Sequence, residues 1–165
     1  MGLKADLPYP TLDDIGEDYS SLRIISPAYA GREGELTAIL QYVYQSIMLD
    51  GFGMKAAAKT LEEIAATEMH HLQILGTLIR CLGAPPVFTN CPPYPVGYYS
   101  SSCVNYTKTP KAMIAVDLCA EKNAVLCYES MLKRLQNERV KEILKRIVAD
   151  EEVHIKALEE LAREM

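Results

Sequence analysis

Apolar residues along this chain fall into four long stretches of helical period, separated by two short breaks and one long one. From about Gly31, Leu36, Ile39, Leu40, Val43 and Ile47 recur at helix spacing, and Leu49-Asp50-Gly51-Phe52-Gly53 stops the run with two glycines. A second helix is predicted from about Met54 to Leu82, with Leu61, Ile64, Ala65, Leu72, Leu75 and Ile79 inward, closed by Gly83 and Pro85-Pro86. Thr109-Pro110 supplies an N-cap and a first-turn proline for a third helix reaching about Leu135. After a tight turn near Gln136-Asn137, a fourth runs to the C-terminus. Residues 1–29 carry prolines, tyrosines and acids without helical period and are expected to form an irregular arm over the outside.

The long break, residues 84–109, holds five of the nine prolines together with Tyr94, Tyr98, Tyr99 and Tyr106. A connection of that length and composition reads as a crossover between two helical hairpins. The expected fold is therefore all-α: an antiparallel four-helix bundle over residues 30–165, with the crossover between its second and third helices.

Two helices carry one repeated pattern, Glu-x-x-His: Glu68-Met69-His70-His71 and Glu151-Glu152-Val153-His154. Residues three apart share a helix face, so each copy aims a carboxylate and an imidazole at one point. Two such helices, with one inward Glu from each of two partners, make the dinuclear carboxylate site of ferritin-like bundles. Antiparallel helices place side by side the residues equidistant from their turn. Glu35 and Glu68 each lie about 16 or 17 residues from the first turn, and Glu121 and Glu151 about 15 from the second. Glu129 would sit roughly 12 Å along the axis from that level, at 1.5 Å per residue, so Glu121 is the better ligand.

Facing agrees with height. Ile114, Leu118, Glu121, Val125, Tyr128 and Leu132 form one stripe, and Ile143, Leu144, Ile147, Glu151, His154, Leu158 and Leu161 another. A carboxylate on an apolar stripe is costly unless paired or metal-bound, and two divalent ions would neutralise four of them. A solvated face, the usual fate of Glu, fits Glu62, Glu63, Glu142, Glu159 and Glu160 but not these four acids in register with two histidines. Around the ligands, Asp150 is placed to accept the free ring N–H of His71. Asp117 is placed to serve a histidine or to line an access path. Tyr42, seven residues after Glu35, is placed to bond a ligand carboxylate, and a core tyrosine is the alternative for Tyr42 and Tyr128. His70 points about 100° away from His71 and is assigned to a surface or an interface.

Composition narrows the function classes. A chain of 165 residues is one domain with room for a core. A net charge of −5 argues against nucleic acid. Charges break every apolar run well before about 18 residues, so no membrane span is expected. The N-terminus has no apolar stretch suited to export, and a cytoplasmic location is expected. Five cysteines without a Cys-x-x-Cys pair make neither a disulfide framework nor a rubredoxin-type site. Cys81, Cys119 and Cys127 are expected as small core residues, and Cys91 and Cys103 as loop residues where a disulfide would be unusual for a cytosolic protein.

Gly34-Glu35-Leu36-Thr37-Ala38-Ile39-Leu40-Gln41-Tyr42 and Ile64-Ala65-Ala66-Thr67-Glu68-Met69-His70-His71 resemble the first two metal-bearing helices of manganese catalases and their spore-coat relatives. The resemblance implies Glu35, Glu68, His71, Glu121 and His154 as metal ligands, with Tyr42 hydrogen-bonded to Glu35. Leu7-Pro8-Tyr9-Pro10 is similar to the spore-coat branch, which adds a spore-associated location. Asp150-Glu151-Glu152-Val153-His154 resembles bacterioferritin and rubrerythrin, which implies Glu151 as a sixth ligand. Met69 follows Glu68 as the haem-binding methionine does in bacterioferritin, but a lone Met on a helix is read as packing, so haem is not expected.

The chemistry expected is a pair of Mn or Fe ions exchanging two electrons with hydrogen peroxide or dioxygen, with Glu151 the carboxylate that moves protons. Catalase-like disproportionation needs no external reductant, which suits a chain without rubredoxin-type cysteines. The alternatives are iron oxidation and storage, a rubrerythrin-like peroxidase with a separate donor, and a coat protein that binds metal without turnover. Storage in a cage is weighed against a chain that ends with its fourth bundle helix. The tyrosine-rich crossover and the arm look like interface material, so a homo-oligomer is expected.

Overall fold

The computed structural model describes residues 2–89 and 97–165. Its helices are α1 (Tyr19–Ala30), α2 (Glu35–Gly51), α3 (Lys55–Cys81), α4 (Pro110–Arg134) and α5 (Glu138–Glu164). Helices α2 and α3 form one antiparallel hairpin, α4 and α5 the other, and α3 meets α5 along the bundle. This is the all-α antiparallel bundle with a long crossover that the periodicity predicts. Gly53, at φ +79°, turns the chain from α2 into α3, a conformation that glycine adopts without a Cβ penalty. Asn137 starts α5 by accepting from the Val140 N–H. Thr109 occupies the N-cap position of α4 and Pro110 its first turn, but the threonine side chain makes no capping bond.

The N-terminal region differs from the irregular arm expected over residues 1–29. Tyr19–Ala30 is a helix, started by Asp18, whose carboxylate accepts from the Ser20 and Ser21 N–H groups. Its Leu22, Ile25 and Ala30 are fully buried. Pro27 reads as a helix breaker in sequence, but it falls in the last turn, where little helix remains to be interrupted. Among the described residues of this region, 2–17 are irregular.

One apolar stripe faces outward, and one expectation is corrected. Leu40, Val43 and Ile47 are exposed, because the inward stripe of α2 runs through Ile39, Tyr42, Ser46 and Leu49, and each exposed residue follows an inward one by a single step of about 100°. Cys119 and Cys127 are exposed rather than core, because Asp117, Glu121 and Tyr128 take the inner face of α4. Cys81 and Cys103 are partly buried. The possible Cys91–Cys103 pairing lies outside the described residues. The described crossover includes a bridge between Thr89 and Tyr98 and one 3-10 turn at Ser101–Cys103.

The apolar core is in two pieces. One joins Leu22 and Ile25 of α1 to Leu75, Leu78, Ile143 and Leu144, and the other joins Leu49, Leu61 and Ile64 to Ile114, Leu158 and Leu161. Between them lies a layer of buried acids and histidines. No helix among the described residues is long and apolar enough to cross a membrane.

Candidate dinuclear metal centre

Four helices each contribute to that layer. Glu35 is the first residue of α2, where the helix dipole favours a negative charge. Glu68 and His71 come from the middle of α3, Glu121 from α4, and Glu151 and His154 from α5. All six side chains are buried, at 5 % exposure or less. They form two overlapping groups whose potential ligand atoms lie within 4.8 Å of one another: Glu35, Glu68, His71 and Glu151, and Glu68, Glu121, Glu151 and His154. The structure thus brings together the six residues singled out from spacing, while Glu129 is exposed on the outside of α4.

Glu68 and Glu151 belong to both groups, and their geometry explains why. Glu68 places one oxygen 2.9 Å from His71 Nδ1 and the other 2.8 Å from His154 Nδ1. Glu151 does the same at 3.3 Å and 3.1 Å. Each therefore spans both imidazoles, in the manner of a bridging carboxylate, while Glu35 and Glu121 sit at opposite ends. Glu68 Oε1 and Glu151 Oε1 approach a ring nitrogen without the geometry of a hydrogen bond and have no other partner. Buried oxygens left so are costly, and a shared cation would satisfy them. The donor set, carboxylate with imidazole, suits iron or manganese.

The tyrosines exchange partners. Tyr42 donates to Glu121 and Tyr128 donates to Glu35, so the Tyr42–Glu35 bond implied by resemblance is not formed. Seven residues of helix carry a side chain about 10 Å along its own axis, out of reach of the acid it follows but level with the one opposite. Both hydroxyls are held well above their usual pKa, first by burial and then by the adjacent Glu121 or Glu35, so they remain donors. Asp117 serves no histidine. It accepts from Gln41 Nε2 at 2.8 Å, and burial pushes its carboxyl up to about 7.

His71 and His154 turn Nε2 away from the four glutamates. His71 Nε2 lies 3.0 Å from Asp150, the partner expected from sequence. His154 Nε2 lies 2.9 Å from the Leu3 main-chain carbonyl, which can only accept. Both rings thus carry the outer proton and turn Nδ1 inward, the nitrogen that would meet a metal. Sequence reasoning missed Leu3, Tyr9 and Arg146 around these histidines. Only Tyr9, in the Pro-Tyr-Pro segment, offered a visible signal.

Without metal the charges sort into pairs. Burial raises Glu68 and Glu151, but the histidines outweigh it and hold both below the usual carboxylate range. Burial lowers the histidines, but Glu68 and its neighbours outweigh it and hold both well above theirs. Burial, reinforced by repulsion from Glu68 and Glu151, lifts Glu35 well above its ordinary value. Glu121 is lifted by burial and by Glu151.

A cavity of about 650 Å³ opens between α2 and α4 and reaches Glu35, Glu121, Glu68 and Glu151. Its walls include Ala38, Val116, Ala120 and Ala124, small apolar side chains that leave room for a small molecule. Met69 is half exposed rather than packed.

Residues 32–165 match a family described as ferritin-like domain. Among solved structures, a manganese catalase from Anabaena, KatB, aligns over 99 % of this chain and 80 % of its own, with TM-score 0.80 and 21 % identity. The Mycobacterium tuberculosis bacterioferritin BfrA aligns over 91 % and 88 %, with TM-score 0.72 and 27 % identity. A dodecameric thioferritin from Bacteroides fragilis aligns over 90 % and 88 %, with TM-score 0.70 and 22 % identity. No curated protein matches the chain.

Proposed function

The chain belongs to the ferritin-like domain family, and from that footing we propose that it is a dinuclear manganese or iron oxidoreductase acting on hydrogen peroxide. Catalase-like disproportionation is the reaction class proposed. The observation that carries this reading is the pair of carboxylates, Glu68 and Glu151, each spanning both histidines at the end of an open cavity. Glu35 with His71 would complete one ion's ligands, and Glu121 with His154 the other's. Two redox-active ions so held would take two electrons from one peroxide and return them to a second, giving water and dioxygen.

The chain's own residues have defined parts in this reading. Tyr128 and Tyr42 hold Glu35 and Glu121 by donating to one oxygen of each. The apolar cavity walls admit a small uncharged substrate and limit bulk water at the site. Glu151 is the proposed proton carrier, since a carboxylate that releases one contact gains a free oxygen beside the reacting molecule. These 165 residues hold no Cys-x-x-Cys pair to relay electrons from a donor, and disproportionation needs none.

Iron oxidation is the second reading, favoured by the likeness to the M. tuberculosis bacterioferritin and by the Asp150-Glu151-Glu152-Val153-His154 segment. Metal analysis combined with an oxygen electrode separates the two. Manganese with dioxygen evolved from peroxide supports catalase, whereas iron with dioxygen consumed during ferrous oxidation supports the alternative. Bound metal with neither activity would leave a structural, coat-like role. Self-association is part of the proposal, because Leu40, Val43 and Ile47 present an apolar stripe along the outside of α2. Light scattering after size exclusion measures it.

A further inference from the structure

We propose that the N-terminal segment Gly2–Tyr9 is a positioning element of the metal centre and makes its two ion positions unequal. This rests on the reading of the cluster as a dinuclear site. The repeat in the helices would by itself give equal halves: α2 and α4 each supply a Glu and a Tyr, α3 and α5 each a Glu-x-x-His. The residue before the bridging acid breaks the equality. On α5 it is Asp150, whose carboxylate accepts from His71 Nε2. On α3 it is Thr67, and no α3 side chain reaches His154 Nε2. Leu3 takes that place, its carbonyl accepting from both His154 Nε2 at 2.9 Å and Thr67 Oγ1 at 2.8 Å.

The segment is built onto the bundle at both histidines. Leu3 N donates to Glu63 O at 3.0 Å, and a Cβ on Gly2 would come within 2.6 Å of Thr67 Oγ1. At the other histidine, Ala5 N donates to Asp150 Oδ1 at 2.7 Å and Tyr9 OH donates to Asp150 Oδ2. Arg146, itself buried, pairs with Asp150 at 2.6 Å, donates to the Ala5 and Leu7 carbonyls at 3.0 Å, and lies 4.0 Å over the Tyr9 ring. A charged carboxylate behind an imidazole makes its inner nitrogen a stronger donor than a neutral carbonyl does. The ion beside His71 is therefore held more tightly than the ion beside His154.

Titration of the metal-free full chain with Mn(II), following free Mn(II) by electron paramagnetic resonance, gives the two binding constants. A chain lacking residues 2–4 loses Leu3 but keeps Ala5, Leu7 and Tyr9. It is expected to lower the weaker constant about 10- to 100-fold and widen the gap between the two, as loss of a histidine's outer partner does. Asp150→Asn in the full chain is expected to lower the stronger constant and narrow the gap, a split that general loosening of the fold would not produce. Thr67→Asp added to the shortened chain puts a carboxylate where α5 has one and is expected to recover the weaker constant. Gly2→Val in the full chain, which pushes the segment off α3, gives the same direction of change and decides the matter if the shortened chain does not fold. Unchanged constants in the shortened chain or in Gly2→Val overturn the proposal. The His154 side-chain N–H resonance of the metal-free chain tests the Leu3 contact separately: Gly2→Val is expected to shift it, and an unmoved resonance overturns the contact. A full chain that takes up no Mn(II) defeats the metal-centre reading, while this resonance still reports on the segment.

Discussion

The α2–α3 hairpin and the α4–α5 hairpin supply the same four side chains: a terminal Glu, a Tyr seven residues on, and a Glu-x-x-His pair. They are supported differently. The α5 copy is preceded by Asp150, buried and clamped by Arg146, whereas the α3 copy is preceded by Thr67 and borrows a backbone carbonyl from the N-terminal segment. The buried carboxylates and imidazoles follow from helical repeat alone. The groups that aim them come from elsewhere in the chain, and there the resemblance between the halves stops.

The largest expected effects come from breaking the shared acids. Glu68→Ala and Glu151→Ala should each abolish binding of both ions, because each acid spans both histidines, with metal content per chain as the measure. Glu35→Ala and Glu121→Ala should each lose mainly one ion. A Glu68 variant that keeps two ions, or a Glu35 variant that loses both, breaks the bridging and terminal assignment.

The next effect is on pH dependence. Glu35, Glu121, His71 and His154 all have folded-state pKa values raised above their ordinary ones, so above the ordinary carboxylate range, where the lowered Glu68, Glu151 and Asp150 are ionised in both states, the metal-free native state binds more protons than the unfolded chain. The histidine pairs contribute stability that is fully present below the unfolded histidine value and lost as pH rises through the raised one. The two raised carboxyls act in the same direction, since ionising them where they are buried destabilises the fold. The metal-free protein should therefore melt lower as pH is raised from mildly acidic to alkaline. Metal displaces these protons, so Mn(II) affinity should rise over the same range and the loaded protein should not show the fall. Scanning calorimetry with and without metal checks both.

Smaller effects sharpen the symmetry. Tyr42→Phe and Tyr128→Phe should each weaken metal binding by about tenfold or less and by similar amounts, since each removes one donor from one terminal acid. A large difference between them would show that the terminal acids are not equivalent. Smallest is Asp117→Asn. Burial raises Asp117 to about 7, so its ionisation costs stability increasingly between its ordinary value and that pH. The asparagine variant should lose this dependence and melt a few degrees higher than the parent at pH 8.

The legible parts of the molecule were those governed by period. Helix spacing selected Glu35, Glu121 and both Glu-x-x-His pairs, and distance from the turns separated Glu121 from Glu129. Asp150 was readable because its place beside a ligand follows from the same helix. What period does not govern was not readable. Helix α1 carries Pro27 within a short run, so its buried Leu22 and Ile25 gave too little signal. The tyrosine exchange depends on how two helices face each other across the bundle, which one helix's spacing does not contain. Leu3 acts through its carbonyl, which every residue has, so no side chain announces it. Cys119 and Cys127 show the limit of residue-type preference: a small apolar side chain goes where its helix face goes.

Anomalous diffraction from crystals of the full chain soaked in Mn(II) shows where the ions bind. Two manganese peaks are expected, both contacted by Glu68 and Glu151, one also by Glu35 and His71 and the other by Glu121 and His154. A single peak, or peaks away from these six residues, would contradict the dinuclear centre.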